Sequence, residues 1–359
     1  MSDDDRAPTF AEQLHSSLAE RLVGAMPEPA VAVDLEGRAI VANKPAFVLL
    51  PGLKLGEPLI LALRSPDVID AMRRVLASGE AETAPWSERV PIERLFEVCV
   101  APLEGASGAV AAALLTLRDL TEQRRLERMR VDFIANASHE LRTPLASMLG
   151  FIETLQGSAH GDAKARDKFL VIMREQGRRM ARLIDDLLSL SRIEQKQHVR
   201  PDAAVDLAQL ARHVADTLAP LAREMGVEIK IAADRPVTVT GDRDELLRVA
   251  ENLIENAIKY RAPEKGEPDR KVWLEVTARD GFGVLAVRDE GPGIAPENIP
   301  RLTERFYRVD VGQSRAKGGT GLGLALVKHI LARHRGRLGV RSEPGRGATF
   351  SALVPLYES

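Results

Sequence analysis

Two apolar registers, each stepping by four and three residues, constrain this chain more than any other feature. The first runs through Ile134, Leu141, Leu145, Met148, Ile152 and Leu155, with Ser138 at the intervening position. The second runs through Phe169, Met173, Gln176, Met180, Leu183, Leu187 and Leu190. That spacing is a heptad seam, which only a long helix can present on one side. The polar, glycine-containing stretch Gly157–Arg166 separates the two registers and predicts the turn of an antiparallel helical hairpin. A single hairpin covers its own apolar face poorly, so the pattern predicts a homodimer closed as a four-helix bundle.

The flanks have a different grammar. Upstream, AVAVDLEGRAIVAN alternates apolar residues around an Asp/Gly turn and predicts a hairpin. DVIDAMRRVLAS predicts an amphipathic helix, and LFEVCVAPL and AVAAALLTL predict strands. Cys99, in the second of these segments, reads as a core residue. Downstream of Pro201, VEIKIAA and VTVTG predict strands and Asp242–Arg261 a long helix. A hairpin (KVWLEVTA, GVLAVRD), a helix over Gly321–Arg335 and a terminal hairpin (GRLGVRSE, GATFSALVPL) complete a second mixed region.

At roughly 100–200 residues per domain, a chain of 359 residues holds two or three domains. We divide it into an N-terminal segment (1–24), a small α+β domain (25–118), a helical region (119–200) and a second α/β domain (201–359). Lys and Arg number 50 against 52 Asp and Glu, so no wholesale basic surface for nucleic acid or membrane is available. With one cysteine, neither an intrachain disulfide nor a cysteine-rich zinc site is possible. No stretch reaches the ~20 apolar residues of a membrane span, and the acidic MSDDDRAPTF start does not resemble a signal peptide. The expectation is a cytoplasmic protein.

Three segments carry candidate chemistry. In FIANASHELRTPL, residues 133–145, His139 falls off the apolar seam and faces solvent. Imidazole is largely neutral and nucleophilic near pH 7. Glu140 beside it would orient the ring or accept its proton. Pro144 removes the helical partner of the Glu140 carbonyl, which predicts a kink just after the histidine. A zinc-protease reading fails, because it needs a second histidine where Thr143 stands. In ENLIENAIKYR, residues 251–261, Asn252, Asn256 and Lys259 share one helix face. That face suits either solvent or a polar ligand: an amide oxygen fits Mg²⁺ and Lys259 fits a phosphate. Finally, VRDEGPGI and KGGTGLGLALVKHI place Asp289 and a run of glycines at a strand end and a helix start. Backbone N–H groups there can cradle an anion. The spacing matches neither a Rossmann fingerprint nor a P-loop, and no H-R-D or D-F-G occurs.

Taken in order, these segments resemble a sensor histidine kinase of two-component signalling. NASHELRTPL is similar to the family's H box, NLIENAIKY to its N box, DEGPGI and GGTGLGLAL to its glycine boxes and ERFYR to its F box. GRGATF is similar to a third glycine segment. The wording around the H box is similar to the phosphate-regulon sensor branch, and residues 25–118, ending in RDLTEQ, resemble a PAS domain.

The resemblance implies a multidomain α+β fold: a PAS-like domain, a hairpin forming a dimeric four-helix bundle, and an α/β-sandwich ATP domain of the gyrase and heat-shock chaperone (Bergerat) type. It implies that His139 takes the γ-phosphoryl group of ATP and passes it to an aspartate on a response regulator receiver domain. Asn256 would then ligate Mg²⁺, assisted by Asn252, while Lys259 and Tyr260 contact phosphate and nucleotide. Asp289 would accept from the adenine amino group, within the turn that holds Gly291 and Gly293. Gly319, Thr320, Gly321, Leu322 and Gly323 would line the phosphate side, Arg308 would contact phosphate, and Arg308–Gly319 would be the lid. Thr143 matches the position used to dephosphorylate the regulator. Thr303 departs from the family's F box, which predicts a looser lid anchor. Direct nucleic-acid contact is not implied, and membrane attachment would require helices beyond those in this sequence.

Overall fold

The computed structural model describes residues 20–88, 94–105, 107–157, 160, 162–196, 198–261, 270–309 and 319–358. They belong to two units, one ending at Asp132 and the other beginning at Phe133.

In the first unit the expected hairpin forms between β1 (Ala30–Val33) and β2 (Ala39–Ala42). Asp34 closes its turn, its Oδ1 accepting the N–H groups of Glu36 and Arg38 at 3.1 and 2.7 Å. The helices α1 (Lys44–Leu49) and α2 (Pro66–Ser78) follow, then β3 (Glu82–Glu88), β4 (Arg94–Glu104) and β5 (Val110–Asp119). The antiparallel sheet has the order β2-β1-β5-β4-β3. Helix α2 buries Val68, Ile69, Met72 and Val75 on one face, as its spacing dictates.

Strand β3 escapes the sequence pattern, because Pro85 interrupts it; at a sheet edge proline is tolerated. Cys99 corrects the sequence reading. Phe96, Val98 and Val100 point into the core, so the two-residue period turns Cys99 outward, where it is exposed.

The helices α3 (Thr121–Gln156) and α4 (Ala163–Gln195) are the two heptad segments. Within the second unit Phe151 stacks on Phe169 at 4.9 Å near the turn. Further along, Glu140 meets Arg179 at 3.0 Å, the pairing of antiparallel helices. Helix α3 runs on through Pro144, and Asp162 caps α4 by accepting from Lys164 and Ala165. Ile134, Leu145, Ile152, Ile184 and Leu188 stay exposed on the single chain.

The remaining elements are β6 (Ala204–Asp206), α5 (Leu207–Glu224), β7 (Val227–Ala232), β8 (Thr238–Thr240), α6 (Arg243–Arg261), β9 (Arg270–Arg279) and β10 (Phe282–Arg288), then α7 (Gly323–Arg333), β11 (Arg337–Ser342) and β12 (Ala348–Pro355). Their sheet has the order β11-β12-β10-β9-β7, with only β7–β9 parallel, and β6 pairs with β8 apart from it. Asp280 and Gly281, both at positive φ, make the tight turn between β9 and β10. Leu210, Val214, Leu253, Ile254, Ile258, Leu326 and Ile330 of the helices share one core with Leu274, Leu285 and Phe350 of the sheet. Leu190 and Ile193 from the end of α4 join that core. No described helix is long and apolar enough to cross a membrane.

Candidate functional site

His139 is exposed on α3. One turn on, the Thr143 hydroxyl donates to the His139 carbonyl at 3.1 Å, and Thr143 is also exposed. Glu140 points the other way, into the second unit. Its Oε2 accepts from Arg179 Nη2 of α4 at 3.0 Å and from Arg308 Nη2 at 3.1 Å. A carboxylate taking two guanidinium donors in a largely buried place is a strong, charge-assisted contact.

Helix α6 presents Asn252, Asn256 and Lys259, all half-buried. Asn252 Nδ2 donates back to the Arg248 carbonyl at 2.8 Å, which turns its oxygen toward the glycine loop. Gly323 packs there so closely that a Cβ would collide with Asn252 Oδ1. Lys259 pairs with Glu255 at 2.7 Å on its own helix, and the Tyr260 side chain is exposed. Beyond β10, Asp289 is buried, and its Oδ1 accepts the Gly291 N–H at 2.7 Å. Gly291 lies against the Tyr260 carbonyl, 3.0 Å from where a Cβ would be, so the end of α6 and this turn close on each other. Gly293 has φ 70° with its Hα side against the Glu343 carbonyl, a place only glycine fills without strain.

The expected lid spans Arg308–Gly319; residues 310–318 of it lie outside the described residues, as does Gly318 of the glycine loop. Its two ends meet, since Arg308 Nη2 also donates to the Gly319 carbonyl at 2.8 Å. Thr303 is half-buried near the root of the lid, where Phe306 supplies the contacts. The Phe306 N–H donates to the Gly321 carbonyl at 2.8 Å, and the Phe306 ring lies 5.8 Å from that of Phe133. Gly321 needs its positive φ and its missing Cβ to pass the Phe306 backbone. Leu322 is a core side chain, and its N–H donates to Thr320 Oγ1 at 3.3 Å. The Thr320 hydroxyl donates in turn to Asp186 Oδ2 of α4 at 2.8 Å. Burial pushes the Asp186 carboxyl above the usual carboxylate range, opposed in part by the Thr320 hydrogen bond and by Arg248.

The structure therefore brings Asn252 to Gly323, Tyr260 and Asp289 to Gly291, and Arg308 to both Glu140 and Gly319. It leaves Lys259 engaged by Glu255. Arg179 and Asp186 belong to none of the motifs in the sequence. The hairpin pairing that sets Phe151 on Phe169 puts Arg179 opposite Glu140, so that signal is present; nothing marks Asp186.

Among the described residues no group of three or more His, Cys, Asp or Glu side chains could hold a metal ion. The only ligand the sequence reading puts forward is the half-buried Asn256 amide, a hard oxygen donor. A single such donor fits Mg²⁺ arriving with phosphates and keeping waters, and does not fit a metal caged by protein alone.

Comparison with known proteins bears on the whole chain. A family model described as "Histidine kinase-, DNA gyrase B-, and HSP90-like ATPase" matches residues 241–358. One described as "His Kinase A (phospho-acceptor) domain" matches 129–196, and a PAS fold matches 23–125. The sensor protein kinase WalK of Staphylococcus aureus is 30% identical, over 92% of this chain and 79% of its own length. The chain belongs to the sensor histidine kinase family. The phosphate regulon sensor protein PhoR of Pseudomonas aeruginosa is 40% identical over 66% of this kinase and 53% of PhoR. The sensor histidine kinase WalK of Bacillus subtilis is 29% identical over 94% of the chain and 55% of the relative. The kinase thus spans about half the length of these two relatives.

Proposed function

We propose that this kinase phosphorylates itself on His139 with the γ-phosphoryl group of ATP and passes that group to an aspartate of a response regulator receiver domain. The observation that carries the reading is the placement of His139. It is exposed on α3, and its neighbour Glu140 is held by Arg308 at the root of the lid, so the phosphoacceptor and the glycine loops belong to one unit.

In this reading α6 and the two glycine turns hold the nucleotide. The buried Asp289 accepts from the adenine amino group; guanine presents a carbonyl there, which a carboxylate repels. The backbone of Gly319, Thr320, Gly321 and Gly323 lies at the start of α7, where N–H groups favour anionic oxygens. Lys259 reaches phosphate by leaving Glu255, and Asn256, seconded by Asn252, offers its oxygen to Mg²⁺. The ion's part is to neutralise the charge that develops on the phosphates. For Glu140 to orient His139 and take up its proton, its carboxylate turns from the guanidinium groups it faces in this structure toward the imidazole. Transfer requires the ATP domain to carry the γ-phosphate to His139, and Pro144, which has no N–H to continue the helical hydrogen bonding, makes that turn of α3 the natural hinge. Once the regulator is phosphorylated, the exposed Thr143 hydroxyl is positioned to hold the water that removes the group. The exposed apolar residues of α3 and α4 are covered by a second copy of the chain.

Incubation with γ-labelled ATP and Mg²⁺ tests this reading. Wild type should acquire acid-labile, alkali-stable label, and His139→Ala and Asn256→Ala should lose it. Label retained by His139→Ala would refute the assignment.

A further inference from the structure

Arg308 holds a buried guanidinium whose bonding is incomplete. Only 5% of its side chain is exposed. Nη2 serves two acceptors, Glu140 Oε2 and the Gly319 carbonyl, at 3.1 and 2.8 Å. Its Nε–H, buried as well, meets no acceptor among the described residues. A buried charged donor left in that state is costly, and points to an acceptor that arrives from outside the chain. The guanidinium fork favours an anion with several oxygens, and a phosphate supplies more of them than the single carboxylate oxygen now engaged.

The carboxylate is shared as well. Glu140 Oε2 is held at the same time by Arg179 Nη2 at 3.0 Å, a residue of the hairpin and not of the ATP domain. Arg308 can therefore leave without stripping Glu140 of its guanidinium contact.

We propose that Glu140 is a stand-in for phosphate. It holds Arg308 until nucleotide arrives; the phosphates of ATP then take Arg308 over, and Glu140 stays with Arg179. The proposal rests on the reading of the cleft as an ATP site and goes beyond it. The carboxylate beside the phosphoacceptor competes with nucleotide for one arginine, so nucleotide arrival releases the residue next to His139 from the ATP domain. Binding of ATP is thereby weaker than the cleft alone would give.

Titration calorimetry of the full chain with AMPPNP and Mg²⁺ tests it, using wild type, Glu140→Gln, Arg308→Ala and the double variant. Thermal melts would establish that each is folded. Glutamine keeps an acceptor for Arg308 but removes the charge, so Glu140→Gln should bind the nucleotide roughly three- to ten-fold more tightly. Arg308→Ala should bind more weakly, and the gain from Glu140→Gln should vanish in its background. If Arg308→Ala weakens binding while Glu140→Gln leaves it unchanged, the exchange is refuted and the ATP reading stands. A gain that persists without Arg308 also refutes the exchange. If wild type binds no nucleotide, the ATP reading falls and the proposal with it.

Discussion

His334, at the C-terminal end of α7, has a side chain with no exposed surface, and its ring is fixed by two bonds. The Asp242 N–H donates to its Nε2 at 2.9 Å, so the ring proton is on Nδ1 and is donated to the Ile330 carbonyl at 2.8 Å. Burial holds the imidazole below its ordinary range, against the opposing pull of the Ile330 bond and of Glu245 at 3.8 Å, with Arg333 adding to the depression and Asp242 opposing it. The sign follows from linkage: the unfolded chain binds this proton more readily, so the stability His334 contributes is present above about pH 6.5 and is lost as pH falls through its lower native value. Thermal melts of wild type from pH 8 to pH 5 should therefore fall more steeply than those of His334→Gln, which starts less stable. Parallel curves would refute this. Asp186 and Glu251, whose carboxyls burial pushes up, favour the folded state as pH falls, but they are common to both proteins and cancel in the difference. Gly293 makes a simpler case: alanine there meets a positive φ and the Glu343 carbonyl at once, and should cost about 2 kcal/mol or more in denaturant titration.

At the level of elements, α3 and α4 leave Ile134, Leu145, Ile152, Ile184 and Leu188 uncovered. In the proposed dimer that stripe is buried against a second chain. Light scattering of the full chain at micromolar concentration should show a dimer, and Leu145→Glu with Ile152→Glu should be monomeric, since charges in a bundle core are costly. A monomeric wild type would refute the bundle. This hairpin is legible because a heptad register is a long, redundant signal. Helix α5 carries the same kind of signal, with Asp206 as its cap and Leu207, Leu210, Ala211 and Val214 on one face, and is overshadowed by the stronger motifs around it. Strand β3 is hidden by Pro85. The glycine turns are legible as motifs, yet the reason each glycine is needed, such as Gly323 against Asn252, is visible only in three dimensions. Glu140 is legible too, but Arg179 and Arg308, which hold it, lie 39 and 168 residues away in sequence, beyond the reach of any spacing rule.

For the whole molecule, the hairpin and the ATP domain are tied at several points along α4. Asp186 receives Thr320, Ser189 receives Arg248, Glu194 pairs with Arg305, and Arg333 Nε donates to the carbonyls of Lys196 and Val199. In the proposed transfer some of these ties yield, while Leu190 and Ile193 keep the end of α4 in the shared core. In the proposed reaction the nucleotide cleft, the turn of α3 at Pro144 and the helical bundle all serve one atom group, the exposed imidazole of His139. Site mapping by mass spectrometry, after incubation of the full chain with ATP and Mg²⁺ and digestion under alkaline conditions, addresses it directly. The expected result is one phosphorylated peptide, with the group on His139, and none when AMPPNP replaces ATP. A phosphate on any other residue in its place, or an unmodified chain that nonetheless binds ATP, would contradict the assignment of His139 as phosphoacceptor.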